Sequence, residues 1–245
     1  MSSRAFTHSA FLVLILTGCA DDLAPAETPE TPSVPLDRAT VTGHIVDGSG
    51  APVSGAGITV RASGERATSD SAGAFSLDVP ANTTLTIEAT SSTMATTLLS
   101  QFMIAPGATT SFEIPLLTRD RIKGLVSLGT NKSGGAVAIV LKSVSGAEPS
   151  ASGATIEIAP SNLGTVLYIP DQPGMADPDP SLTSIARASA PVAWALGVQP
   201  HVSVMKFTLR GATQVDAPYA VNDVTWPGTF TVDAGALTLV TLFTP

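Results

Sequence analysis

Few side chains in this 245-residue sequence are equipped for chemistry, and their types and spacing decide which chemistry is open. It holds one cysteine, Cys19, and three histidines, His8, His44 and His201. A single cysteine cannot close an intramolecular disulfide, so no disulfide partner is expected, and the same count excludes a cysteine-rich metal site. His44 and His201 lie far apart in the chain and form no His-x-x-x-His pair, which leaves zinc without ligands. Serine and threonine are abundant, yet no Gly-x-Ser-x-Gly elbow marks a nucleophile and no local signature marks a Ser-His-Asp triad. Gly124-Leu125-Val126-Ser127-Leu128-Gly129 has the glycine spacing of a phosphate loop, but Thr130 and Asn131 stand where Lys and then Ser or Thr are required. That segment therefore reads as a strand and turn. No catalytic residue, no cofactor and no metal are assigned, and the chain is read as not an enzyme.

One loop invites a site. Asp171, Asp177 and Asp179 fall within a short Pro-rich stretch and offer hard oxygen ligands of the kind calcium prefers, although no known calcium-loop spacing is matched. Trp226 precedes Pro227-Gly228, which places it at a turn and makes it the better exposed tryptophan. Trp194 sits in the apolar run 192–196 and reads as core. Together the acidic loop and Trp226 form a possible ligand or calcium loop.

Composition narrows the partners. Charged residues make up only 13% of the chain, against roughly 25% in an average globular protein. The formal charge is -8, with 12 Lys and Arg scattered along the sequence. Nucleic acid is not expected as a partner, because phosphate binding needs clustered cations to release counterions.

The first residues carry Arg4 and His8 and then an apolar run over 10–16, the layout of a secretory signal. Seven apolar residues cannot span a bilayer, since a helix needs about 20. The run ends in Leu16-Thr17-Gly18-Cys19, which resembles the lipobox of bacterial lipoproteins. The resemblance implies cleavage before Cys19, acylation of Cys19 with palmitate-type chains, and membrane lipid as the partner. Each buried methylene contributes about 0.8 kcal/mol, so two or more chains hold a protein durably. Cleavage removes Arg4 and no acid, taking the charge from -8 to -9. Ala20 rather than Asp follows the cysteine, which by the same resemblance favours the outer membrane over the inner membrane of a bacterial envelope.

Residues 19–38 carry Pro25, Pro29, Pro32 and Pro35 among the acids Asp21, Asp22, Glu27 and Glu30, with no aromatic residue. Such a stretch cannot bury enough apolar area to offset its ordering entropy, and it is expected to be a disordered tether. At about 3.1 Å per residue, the seventeen or so residues from 20 to 36 would reach roughly 50 Å.

Beyond Asp37 the pattern turns to short alternating runs bounded by Gly, Pro, Asn and Asp, and no helical period stands out. Strands are expected at 41–47, 57–62, 74–79, 83–90, 94–104 and 109–117. Gly50 and Gly73 suit positive φ at hairpin turns, and the Asp47 and Asp70 carboxylates suit bonds to nearby backbone amides. The stretch Gly43-His44-Ile45-Val46-Asp47-Gly48-Ser49-Gly50-Ala51-Pro52-Val53-Ser54-Gly55-Ala56, with Thr68-Ser69-Asp70-Ser71-Ala72-Gly73-Ala74-Phe75, resembles the carboxypeptidase regulatory-like domain, a transthyretin-like β-sandwich. The resemblance spans residues 39–118 and implies a non-catalytic module.

Residues 119–245 echo the first block. Ser152-Gly153-Ala154-Thr155-Ile156-Glu157-Ile158 repeats Ser54-Gly55-Ala56-Gly57-Ile58-Thr59-Val60, and Gly146-Ala147-Glu148-Pro149 is similar to Gly50-Ala51-Pro52. Strands are expected at 136–143, 155–159, 165–169, 192–196, 202–209, 229–232 and 237–243. The fold class is therefore all-β: two tandem Ig/transthyretin-like β-sandwich domains after a signal peptide (1–18) and a tether. The function that follows is a lipid-anchored structural or interaction module of the cell envelope, with an envelope protein or glycan as partner. The alternative is a ligand-binding surface lipoprotein that holds glycan or calcium in the loops of its second sandwich.

Overall fold

A computed structural model of the chain describes residues 37–145, 151–172, 175–186, 191–200, 206–215 and 217–245. The expected signal peptide, the lipobox with Cys19, most of the tether, the 146–149 echo and His201 lie outside the described residues. From Leu36 to Pro245 the chain forms one compact unit.

In chain order the first half contributes β1 (Arg38–Asp47), β2 (Gly57–Val60), β3 (Arg66–Thr68), β4 (Ala74–Pro80), β5 (Leu85–Thr90), β6 (Thr97–Ile104) and β7 (Thr109–Leu116). A helix, α1 (Arg119–Leu128), follows. The second half contributes β8 (Gly135–Ser143), β9 (Thr155–Ala159), β10 (Thr165–Tyr168), β11 (Ala193–Val198), β12 (Lys206–Arg210), β13 (Tyr219–Val221), β14 (Val224–Trp226) and β15 (Leu237–Thr244). The all-β expectation holds, and all six strands expected in the first half form.

The turn chemistry is as the sequence predicts. The Asp47 Oδ1 accepts the backbone N–H of Ser49 at 2.8 Å and of Ala51 at 3.0 Å, and Asp70 Oδ1 accepts those of Ala72 at 2.8 Å and Ala74 at 2.9 Å. Gly50 and Gly73 take φ of 87° and 74°, where a side chain would strain the backbone. Gly43 is needed for a different reason: a Cβ there would meet the Phe112 carbonyl oxygen of the neighbouring strand at 2.0 Å.

Strands β4, β1 and β7 make one sheet, with β1 antiparallel to β4 and parallel to β7. A long second sheet runs β10-β11-β8-β15-β6-β5-β2-β3. The C-terminal strand β15 lies between the halves, parallel to β8 on one side and to β6 on the other, with Leu237 opposite both Ala136 and Thr97. The two expected sandwiches therefore share this sheet. A third, two-stranded sheet pairs β9 with β12.

The shared strands are buried on both faces. From β8, Ala136 and Ala138 enter a core with Val41, Ile45 and Ile114 of the first half, while Val137, Ile139 and Leu141 enter a second core with Ile156, Ile158, Phe207 and Phe230. Trp194 and Leu196 of β11 and Leu239 and Phe243 of β15 face the first core, and Ala193, Ala195, Val240 and Leu242 face the second. A strand covered on both sides reads as a continuous apolar run rather than an alternating one, as 136–141 does. Burying each large aliphatic or aromatic side chain contributes about 1.5–3 kcal/mol.

Helix α1 corrects the sequence reading of 124–129 as strand and turn. Thr118 caps it, its Oγ1 accepting the Arg121 N–H at 3.3 Å, and Asp120 in the first turn suits the positive end of the helix dipole. Ile122, Leu125 and Val126 form its buried stripe at helical spacing. Glycine and serine at 124 and 127 interrupt the pattern that would have announced it. The strand expected at 229–232 is also absent; Phe230 and Val232 are buried from irregular backbone. In its place β13 and β14 form a hairpin, and β14 joins β6 through Val224 and Thr225.

Candidate functional site

The acidic loop is fastened rather than open. Arg121 of α1 reaches across to it, its Nε and Nη2 donating to Asp177 Oδ1 at 3.2 and 3.0 Å, and its Nη2 also donating to the Met175 carbonyl. One residue on, the Trp194 indole N–H of β11 donates to the Ala176 carbonyl at 3.0 Å. Asp179 turns to its own neighbours, accepting the Ser181 N–H at 2.9 Å and hydroxyl at 2.7 Å, and these bonds hold its carboxyl below the usual carboxylate range. Asp171 is exposed. Among the described residues no three His, Cys, Asp or Glu side chains gather as metal ligands. Asp171, Asp177 and Asp179 thus do not converge.

Trp226 is where the sequence reading needs correction. It is only 6% exposed and stands in the first core, its ring centroid 5.8 Å from Phe102, 6.2 Å from Phe112 and 5.9 Å from Phe243. Gly228 takes a φ of 75°, as a turn there requires, but Trp226 closes β14 and is buried. Trp194 is fully buried, as expected. Tyr168 is also buried, its hydroxyl accepting the Ile156 N–H at 2.8 Å, and burial raises its phenol pKa. His44 lies on β1 and faces solvent, in register with Glu113 of β7.

Among the described residues several clefts open, and three of them border the shared sheet and its neighbours. One of about 340 Å³ opens beside β7, β8 and β15, its lining including Asp47, Glu113, Lys142, Met175 and Trp226. Loop residue Met175 and Trp226 both line it, but the loop carboxylates do not. Lys142 is exposed on β8, and the partial desolvation of its ammonium beside the cleft lowers its pKa. A second cleft, about 570 Å³, lies beside β12 and the 227–230 turn, over the stacked rings of Phe207 and Phe230, whose centroids are 5.1 Å apart. The largest of the three, about 810 Å³, follows helix α1. Sequence reasoning missed Arg121, because it sits in no motif and gains its role from a loop distant in the chain.

Fold and site together define an all-β module in which Asp177 and Asp179 are engaged in holding loops in place. Residues 40–117 match the family model of the carboxypeptidase regulatory-like domain, within one residue at each end of the span that the turn residues indicated. Among curated proteins none matches the chain. Similar solved structures include the Bacillus anthracis TIE protein, at 11% identity and a TM-score of 0.28, covering 85% of this chain and 34% of that one. A streptococcal ancillary pilin is 10% identical with a TM-score of 0.27, covering 86% of this chain and 64% of the pilin. The shaft pilin SpaA from Lactobacillus rhamnosus GG is 13% identical with a TM-score of 0.24, covering 86% and 98%. The chain thus spans about a third of the first of these proteins and just under two thirds of the second.

Proposed function

We propose that this chain is a lipoprotein of a bacterial cell envelope, anchored through acylated Cys19, whose β body serves as a non-catalytic structural or protein-interaction module. The observation that carries the reading is Leu16-Thr17-Gly18-Cys19 at the end of a short apolar run, with Cys19 the one cysteine in the sequence. The match of residues 40–117 to a regulatory-like domain supports a non-catalytic role. So does the commitment of Asp177 and Asp179 to bonds that hold loops. Ala20 after the cysteine favours the outer membrane. No helix among the described residues is long and apolar enough to cross a membrane.

Metabolic labelling with radioactive palmitate tests it. The wild-type chain is expected to take up label and sediment with outer-membrane vesicles, and Cys19→Ser to do neither. A wild-type chain that stays unlabelled and soluble would overturn the proposal. Turnover abolished by a single substitution in a hydrolase screen would overturn the non-catalytic part.

A further inference from the structure

The groove beside helix α1 concentrates positive charge in a chain that has 20 acids against 12 bases. Arg119 and Lys123 stand four residues apart on one exposed face of the helix, and Lys132 completes the rim. No aspartate or glutamate lines the groove. Two acids adjoin lining residues in the chain: Asp233, before Ala234, is bound to Arg61, and Asp120, after Arg119, lies in the first turn of α1 but not in the groove lining. Lys132 is held in place by bonds from its ammonium to the Ser127 carbonyl and, at 2.7 Å, to the Gly129 carbonyl, which fixes one cation at the end of the helix. Met94, Ile122 and Val126 supply an apolar floor between these charges.

We propose that this groove docks an acidic segment of a partner protein, with carboxylates against Arg119, Lys123 and Lys132 and an apolar side chain on the floor. Charge complementarity selects an anion, and the floor selects a polypeptide, because a phosphate polymer has no apolar side group to place there. The charge and the floor do not depend on the proposed anchoring. Met94 suits the role, since an unbranched thioether adapts to varied side chains.

Fluorescence anisotropy of the purified full chain with a labelled peptide of alternating Glu and Leu tests the proposal, with a Lys and Leu peptide as control. The Glu peptide is expected to bind and the Lys peptide not to. Replacing Arg119→Gln together with Lys123→Gln is expected to weaken binding roughly threefold to tenfold and to lower its salt dependence, since rim charges act through screened attraction. Arg66→Gln with Lys206→Gln removes the same charge away from the groove and is expected to change little. Both pairs are exposed, so unchanged melting temperatures keep the comparison valid. Equal losses in the two double variants, or no peptide binding, would sink the idea. So would binding of phosphatidylglycerol vesicles or polyphosphate in place of the peptide. Palmitate labelling reads the anchor separately, so either proposal can fail without the other.

Discussion

Arg121 and Asp177 stand 56 residues apart in sequence and meet at 3.0 Å, where helix α1 fastens the acidic loop to the body. The pair is partly exposed, 28% at the arginine and 75% at the aspartate, so its charge attraction alone is worth little. The added bond from Arg121 to the Met175 carbonyl makes the guanidinium the more important partner. Arg121→Ala is therefore expected to cost about 1–2 kcal/mol and Asp177→Asn less than about 0.5 kcal/mol, measured by urea denaturation. A shift of Trp194 emission in Arg121→Ala should accompany the loss, because the indole N–H binds the adjoining Ala176 carbonyl. Equal costs for the two variants would contradict this division.

Trp226 offers a choice between core and ligand platform that one substitution decides. Packed among Phe102, Phe112 and Phe243, its removal by Trp226→Ala should cost about 3–5 kcal/mol through the cavity it leaves. Trp226→Phe should recover most of that stability. A stability change below about 1 kcal/mol in the alanine variant would mean that the ring is not core.

The first hairpin turn carries a pH signature. Bonds to Asp47, first from the Ser49 hydroxyl at 2.6 Å and then from backbone amides, hold its carboxyl below the usual carboxylate range. A depressed pKa in the folded state stabilises fully above the unfolded value and loses that contribution as pH falls through the folded one. Asp47→Asn is thus expected to lower stability by about 1 kcal/mol at neutral pH, with the difference from wild type closing as the pH falls below the ordinary aspartate value of 3.8. Melting curves of both chains across that range check it; a difference that persists in acid would place the effect in packing instead.

The turns were the most legible part of the fold. Asp47, Gly50, Asp70 and Gly73 act on backbone within a few residues of themselves, so their residue types announce their roles. The alternation of β4, with Phe75, Leu77 and Val79 inward, was legible for the same local reason. Helix α1 was hidden because a ten-residue helix shows only one short stripe, here broken by Gly124 and Ser127. The site was harder still. The acidic loop could be seen in the sequence, but not that Arg121 would occupy Asp177 while Asp179 bonded to Ser181. The basic groove was invisible, since Lys132 reaches the other two cations only once the chain has passed the end of α1.

By itself, then, the sequence determined an all-β chain, the regulatory-like turns of residues 40–117 and a single cysteine behind an apolar run, because each depends on neighbours in the chain. Only the tertiary structure decided that β15 lies between β6 and β8 and gives both halves one sheet. It alone turned Trp226 inward and gathered Arg119, Lys123 and Lys132 around one groove. Those outcomes depend on which faces are covered and which strand edges are free, and such contacts join residues whose separation in the chain carries no signal.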